Sequence, residues 1–214
     1  MSRVHMENIT CIACGKESPY RYWDMIDPMM NQETKDKVLS GELFTFTCKH
    51  CGAKRRVTYD TIYQEVAKGR TFHLVTSEES YMQAVNIYAD RDSHSSPVLA
   101  HEIVRIVLSQ NQLAEKIRIF DEGLDDRIVE IIKAYFLSQL YEQEPDIQVD
   151  EVLFFVGDQN QYEIAFLSQD GNHRSISFSR EMYDGIKKDI GGKLPPIHQE
   201  LEVDLEIAME YLKD

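Results

Sequence analysis

The sequence contains no long apolar run. No stretch of its 214 residues approaches the roughly 20 consecutive apolar residues of a membrane-spanning helix. The N-terminal segment MSRVHMENITCIAC also lacks the apolar core of a secretory signal. Apolar residues make up 43% and charged residues 28%, as in an ordinary globular protein that is long enough to bury a core. We therefore expect a cytoplasmic protein with no membrane partner.

Basic residues are scarce, and their distribution is uneven. The chain has 23 Lys and Arg against 37 Asp and Glu, a net charge of −14. Residues 1–76 hold 11 basic and 9 acidic residues, whereas residues 77–214 hold 12 and 28. Because an acidic surface repels a phosphate backbone, we expect nucleic acid to be contacted only by the first third of the chain, if at all. The acidic remainder is interpreted as a solvated surface.

Recognisable catalytic motifs are also missing. The sequence has no G-x-x-x-x-G-K-[ST] phosphate loop, no G-x-G-x-x-G, no H-E-x-x-H and no G-x-S-x-G. No catalytic residue and no organic cofactor site is therefore predicted. An enzyme of unrecognised type remains one hypothesis.

Strand and helix patterns come in runs, which predicts the α+β class. Alternating segments at 151–157, 162–168 and 174–179 are separated by the turn-forming DQNQ and QDGN, and they predict an antiparallel β-meander. Further elements are a strand at 102–108 and helices at 113–119, 124–140, 180–190 and 198–212.

The first third of the chain is less regular. The sequence predicts a strand within 5–16, an irregular link over 17–27 and a helix from Pro28 to Ser40 that ends at Gly41. LFTFT, CKHCGAK and RRVTY then predict a β-hairpin whose turn carries two cysteines. A strand at 72–75, a helix at 78–89 and a polar loop at 90–97 follow.

The four cysteines form two C-x2-C pairs separated by 33 residues: Cys11, Cys14, Cys48 and Cys51. A C-x2-C turn brings two sulfurs to one point, and Zn²⁺ takes four such donors at about 2.3 Å in a tetrahedron. Gly15 and Gly52 follow the pairs and permit the positive φ that such turns use. We predict one structural Zn²⁺ per chain in a small ribbon, packed on a body of helices and strands.

The cysteine spacing also bears on two other chemistries. A redox pair is disfavoured because neither motif lies at a strand-to-helix junction of a βαβ unit. A catalytic zinc is disfavoured because four thiolates leave no open coordination position. His5 and His50 lie near the pairs, but four sulfurs make them redundant as ligands.

Several segments together resemble the bacterial CpXC family, named for a Cys-Pro-x-Cys motif. They are CIACG (11–15), Trp23 with Asp27 and Pro28, GELFTFTCKHCG (41–52), VTYDTIY (57–63) and EKIRIFDEGLDDRIVEIIK (115–133). Ile12 stands where the motif has proline, a position that is not a ligand. The resemblance implies a CpXC-like domain over 1–143, with the zinc ribbon at about 5–60, and a second region over 144–214 with the meander and C-terminal helices. It implies the fold and the metal but no reaction.

Two charged clusters are further candidates. The acidic residues Asp121, Glu122, Asp125, Asp126 and Glu130 suggest a divalent-metal or acid–base site, but capping of the helix that follows Gly123 is the preferred interpretation. The second cluster is basic and flanks the second cysteine pair: Lys49, His50, Lys54, Arg55 and Arg56.

Three functions follow from these patterns. The first is a protein-interaction or adaptor module with a protein partner, because the predicted metal site has a closed ligand shell and the sequence shows no recognisable set of catalytic residues. The second is a nucleic-acid-associated ribbon that uses the basic cluster from Lys49 to Arg56. The third is the unrecognised enzyme, with its carboxylates around Asp121 to Asp126.

Overall fold

The computed structural model describes residues 3–30, 32–89, 102–158, 161–168, 171 and 173–212. These residues form six α-helices and ten strands, so the α+β class is confirmed. The chain divides into two compact units, Met1–Ala114 and Glu115–Asp214. The domain boundary predicted at 143–144 stays a prediction. Among the helices that the described residues form, none combines the length and apolarity needed to cross a bilayer.

The first unit contains a five-stranded sheet and a separate two-stranded hairpin. The sheet has the order β1-β2-β5-β6-β7, and the hairpin pairs β3 with β4. The strands are β1 (Arg3–Thr10), β2 (Glu17–Ile26), β3 (Thr45–Thr47), β4 (Lys54–Arg56), β5 (Thr61–Glu65), β6 (Arg70–Leu74) and β7 (Ile103–Val107). The helices are α1 (Gln32–Leu39), α2 (Glu78–Ala89) and α3 (Gln110–Asp121), the last of which crosses into the second unit.

The centre of the five-stranded sheet follows the alternation of its sequence. In β5 every second side chain is buried, and Tyr63 pairs in register with Phe72 of β6. The two rings stack with centroids 6.0 Å apart, and both are fully buried. Such cross-strand aromatic pairs contribute roughly 0.2–1 kcal/mol each, so they help to fix the register.

The second unit contains the predicted meander and three further helices. The strands β8 (Glu151–Val156), β9 (Tyr162–Leu167) and β10 (His173–Phe178) form an antiparallel sheet in the order β10-β9-β8, which confirms that prediction. The helices are α4 (Asp126–Gln143), α5 (Arg180–Ile190) and α6 (Leu205–Tyr211). One apolar face of the sheet and α4 share a core that includes Ile128, Ile132, Phe154, Ile164 and Phe166.

One element prediction and the starts of two predicted helices were wrong. Residues 17–27 are not an irregular link, because β2 occupies Glu17–Ile26 and pairs with β1 from Glu17 to Met25. The helix predicted from Pro28 begins only at Gln32, since the preceding turn is held by the Asp27 carboxylate, which accepts the Met29 N–H at 3.0 Å. The last helix begins at Leu205 instead of 198, with Asp204 as its N-cap. The predicted loop at 90–97 lies outside the described residues.

Candidate metal centre

The cysteine pairs occupy the turns of two β-hairpins that have the same hydrogen-bond pattern. Residues 11–16 connect β1 to β2, and residues 48–53 connect β3 to β4. In the first turn the Cys11 N–H donates to the Lys16 carbonyl at 2.9 Å, and the Gly15 N–H donates to the Cys11 carbonyl at 2.8 Å. The second turn repeats both bonds at 2.9 Å, from Cys48 to Ala53 and from Gly52 to Cys48. The two C-x2-C motifs therefore present their sulfurs in the same way.

Both turns require glycine directly after the second cysteine. Gly15 has φ = 69° and Gly52 has φ = 74°, in the left-handed region that other residues rarely adopt. The positions predicted from spacing alone are thus the positions where the backbone turns sharply.

The four sulfurs lie together at a spacing that suits one tetrahedral metal ion. Cys11 Sγ lies 3.6 Å from Cys51 Sγ, and Cys14 Sγ lies 3.7 Å from Cys48 Sγ. All four ligand atoms fall within 4.8 Å of one another. A tetrahedron with bonds of about 2.3 Å to its centre has edges of about 3.8 Å. The cluster could therefore hold a metal ion with little movement of its turns.

Cys48 receives the most support from its surroundings. The buried Ser18 hydroxyl lies 3.6 Å from Cys48 Sγ and accepts the Lys49 N–H at 3.1 Å. The His50 N–H donates to the same sulfur at 3.4 Å. The hydrogen bond from Ser18, against the opposing effect of burial, lowers the pKa of the Cys48 thiol to about 5. This sulfur is accordingly prepared to act as a thiolate ligand.

Cys51 differs in exposure and in protonation. It is exposed, whereas Cys11 and Cys48 are buried. The Ala53 N–H acts to lower the pKa of Cys51, but hydrogen bonds with the neighbouring thiols and partial desolvation outweigh it and raise the pKa to about 12. Without metal the cluster therefore keeps a proton that a bound cation must displace, so we expect metal binding to release protons.

The two nearby histidines have other partners. His5 Nε2 lies 2.6 Å from an Asp24 carboxylate oxygen, and its ring stacks on Tyr22. His50 is exposed, and its Nε2 lies 3.1 Å from the Glu17 carbonyl oxygen.

Aromatic side chains pack beside the cluster. Tyr20 and Phe46 are buried with Cys11 and Cys48 in one apolar cluster, and their rings meet edge to face at 6.2 Å. Tyr59 contacts Tyr20 at 6.3 Å between centroids. These aromatic residues of the ribbon therefore serve packing.

The basic cluster is exposed. Lys49 and all three residues of β4, Lys54, Arg55 and Arg56, face solvent. The Arg55 guanidinium lies 5.8 Å from the centroid of the Phe46 ring, and Arg56 donates to the Asn111 side chain at 3.3 Å. These contacts hold two cations on the outside of the hairpin.

The acidic cluster divides between capping and a buried network. Asp125 caps α4 by accepting the Arg127 N–H at 3.1 Å, and its carboxylate pairs with the Arg127 guanidinium at 2.7 Å. Asp126 and Glu130 are instead buried, and Glu122 accepts the Tyr162 hydroxyl at 3.3 Å. Capping was the preferred interpretation of this cluster, and it holds for Asp125.

The buried network joins α3 to α4 within the second unit and consists of Glu115, Lys116, Asp126, Glu130 and Lys133, each at most 4% exposed. Lys116 Nζ lies 3.1 Å from Asp126 and 3.3 Å from Glu130. Lys133 Nζ lies 3.0 Å from Glu115 and 2.9 Å from Glu130. Sequence reasoning missed this network; its signal is the pair of charges Glu130 and Lys133 among the apolar residues of α4.

Two pKa values in this buried network are raised, those of Glu130 and Lys133. Burial raises the pKa of Glu130, although Lys133 and Lys116 act to lower it. Burial acts to lower the pKa of Lys133, but Glu115 and Glu130 outweigh it and raise that pKa. The network holds three carboxyl groups and two ammonium groups, so uptake of one proton by a carboxyl group would make it neutral.

The comparison with known proteins identifies one family. Residues 9–133 match the family model described as CpXC protein, a span of more than half of the chain that includes all four cysteines and ends at Lys133. No curated protein and no solved structure matches the chain. The resemblance drawn from the sequence motifs is thereby confirmed.

Proposed function

Because the chain belongs to the CpXC protein family, we propose that it is a zinc-binding interaction protein. In this proposal Cys11, Cys14, Cys48 and Cys51 hold one structural Zn²⁺. The observation that carries it is the sulfur spacing of 3.6 and 3.7 Å across the two hairpin turns.

The donor set favours zinc in a structural role. Four thiolates are typical of closed structural zinc sites and fill the tetrahedral shell. A closed shell leaves no position for a water molecule or a substrate, so the metal would stabilise the ribbon and would not catalyse a reaction. A reducing compartment such as the cytoplasm would keep the four thiols available as ligands.

The metal proposal is tested by metal analysis and amide exchange. Purified protein should carry one zinc per chain, and Co²⁺ in its place should give the absorption bands of a tetrahedral four-sulfur site. Cys48→Ser should speed amide exchange within residues 5–60 first, while 124–140 stays protected, because a two-stranded hairpin is marginal without metal. Thr47→Ser, at an exposed neighbouring position, is the control. Metal-free protein with four free thiols would refute the proposal.

The interaction role rests on a site that offers no open metal position, and affinity capture from native cells tests it. A stoichiometric protein partner should be recovered with the native chain. Recovery of the chain alone in repeated captures would contradict the role, whether or not zinc is bound.

A nucleic-acid role is the second candidate, because every residue of β4 is exposed and basic. Binding of single-stranded or duplex probes should then weaken steeply with salt, by a slope of about 0.7–0.9 per phosphate contact. Replacing Lys54 and Arg55 with Ala should reduce that slope, whereas Lys37→Ala on α1 should not. Absence of binding at low salt would exclude this candidate.

A further inference from the structure

The second unit has an open apolar groove between α4, α5 and α6, here named the helical groove. It encloses about 570 Å³, and its apolar lining includes Ile131, Tyr135, Met182, Ile186, Met209 and Leu212. Its polar lining residues are Ser138 and Asp189. Tyr135, Met209 and Leu212 are each 50–51% exposed, so much of the lining faces solvent. A cluster of large apolar side chains that is exposed to solvent in this way is typical of an interaction surface.

The walls of the groove indicate the backbone form of its occupant. All three walls are α-helices, and helices satisfy their backbone hydrogen bonds internally. The groove therefore offers no strand edge with which an extended peptide could pair. A segment that enters it must satisfy its own backbone groups, as an amphipathic helix does.

The charges indicate the sign of the partner. The unit Glu115–Asp214 holds 10 basic and 23 acidic residues, a net charge of −13. Asp189 is the charged residue in the lining, and it has no ion-pair partner within the part of the chain that the structure describes. Glu206 and Glu210 of α6 are also exposed, while Lys187 and Lys188 of α5 do not line the groove. A partner with basic residues beside its apolar face is complementary to this surface.

Two other occupants fit less well. A second copy of the chain, with its own net charge of −14, would bring like charge against the first, and like charges oppose association. A small apolar ligand needs roughly 70–90% of its surface buried, which an open groove with half-exposed walls does not provide. Met182 and Met209 line the groove with flexible side chains that can adapt to the shape of a bound helix. Methionine is common at surfaces that bind helices of a partner.

We propose that the helical groove binds a basic amphipathic helix of a protein partner, with apolar residues at i, i+4 and i+7 seated between α4 and α6. This inference rests on the proposed interaction function and names the surface and partner chemistry for it.

The test uses the full-length zinc-loaded protein and three labelled peptides of about 18 residues, long enough to form a helix on binding. The first has a leucine face flanked by Lys and Arg. The second keeps the leucine face but replaces the basic residues with Glu. The third is a scrambled form of the first without an apolar face. Fluorescence anisotropy measures binding at low and moderate salt.

The basic amphipathic peptide should bind with a dissociation constant on the order of micromolar, and the other two at least tenfold more weakly. Met209→Glu with Leu212→Glu should weaken the basic peptide at least tenfold, and Asp189→Lys severalfold. The matched control is Met82→Glu with Ile87→Glu on α2, which replaces side chains of similar exposure and should leave binding unchanged.

Three results would overturn the inference: no binding of the basic peptide, equal binding of the acidic peptide, or equal weakening by the α2 control. A dimer in sedimentation experiments that Met209→Glu dissolves would overturn it in favour of a second copy. Zinc content and partner capture on the same samples separate the two proposals. A failed peptide test with bound zinc and a captured partner removes the groove but not the interaction function.

Discussion

Replacing Lys133 with methionine tests the buried network directly. Lys133 is 4% exposed and lies within 3.0 Å of both Glu115 and Glu130. Methionine keeps much of the side-chain volume but removes the charge. Removing one partner of a buried ion pair leaves an uncompensated charge and is expected to lower the free energy of unfolding by about 3–5 kcal/mol.

The charge count of the network gives the pH dependence of this loss. Without Lys133, the network keeps one ammonium group, Lys116, against its three carboxyl groups, while Arg118 acts on Glu115 and Arg127 acts on Asp126 from outside it. The excess of carboxyl groups over cations therefore grows, and these groups must take up protons or stay unpaired. The folded pKa of Glu130 is already raised above the ordinary 4.5. A raised pKa gives stability that is complete below 4.5 and is lost as the pH rises through the folded value. Loss of a cation raises that pKa further, so the Lys133→Met defect should be large near pH 8 and smaller near pH 5.

Urea titrations followed by far-UV circular dichroism at both pH values measure this difference, and amide exchange over α4 locates it. The exposed Lys188→Met on α5 is the matched control, expected within about 0.5 kcal/mol of the native chain. Adding Glu130→Gln to Lys133→Met should recover part of the stability at pH 8. Native-like stability of Lys133→Met at pH 8, or the same loss at both pH values, would refute the charge argument.

Three further predictions concern single contacts. Ser18→Ala removes the hydroxyl beside Cys48 and should weaken zinc binding about tenfold in a chelator competition, whereas the exposed Ser40→Ala should not. Gly52→Ala places a side chain on a residue with φ = 74° and should lower the free energy of unfolding of the ribbon by about 1 kcal/mol, which is seen as a lower melting temperature. Gly185→Ala, inside α5 with open space around it, should instead stabilise the protein. Tyr183→Phe removes the acceptor of the Asp125 N–H at 2.7 Å and should lower the free energy of unfolding by about 1–3 kcal/mol, measured by urea titration; an unchanged midpoint would contradict it.

The proximity of the four cysteines was predictable because its signal is local. Each C-x2-C pair with its following glycine specifies one turn, so spacing alone predicted that Cys11, Cys14, Cys48 and Cys51 lie together. The meander was predictable for the same reason, since alternation and turn residues are properties of short segments.

Contacts between distant segments could not be predicted in this way. Residues 17–26 carry Ser18 and Pro19 and look irregular, but pairing with β1 makes them a strand. Ser18 supports Cys48 only because the fold brings together residues that are 30 positions apart in sequence. The charges of Glu130 and Lys133 suggest an exposed helix face, and only their partners on α3 make burial tolerable.

The metal cluster would also act as a crosslink. A metal bound to both turns closes a loop from Cys14 to Cys48 that contains β2 and α1. Closing a loop of this length removes conformational entropy from the unfolded chain, worth on the order of 3–4 kcal/mol for a covalent link of similar span. Among the described residues, the strand pairing of β2 with β5 consists of two residue pairs, Met25 with Ile62 and Ile26 with Tyr63. The crosslink would hold β2 near β5, the strand with which it pairs. A metal ion at the turn of the β1–β2 hairpin would therefore favour sheet assembly at the opposite end of that hairpin.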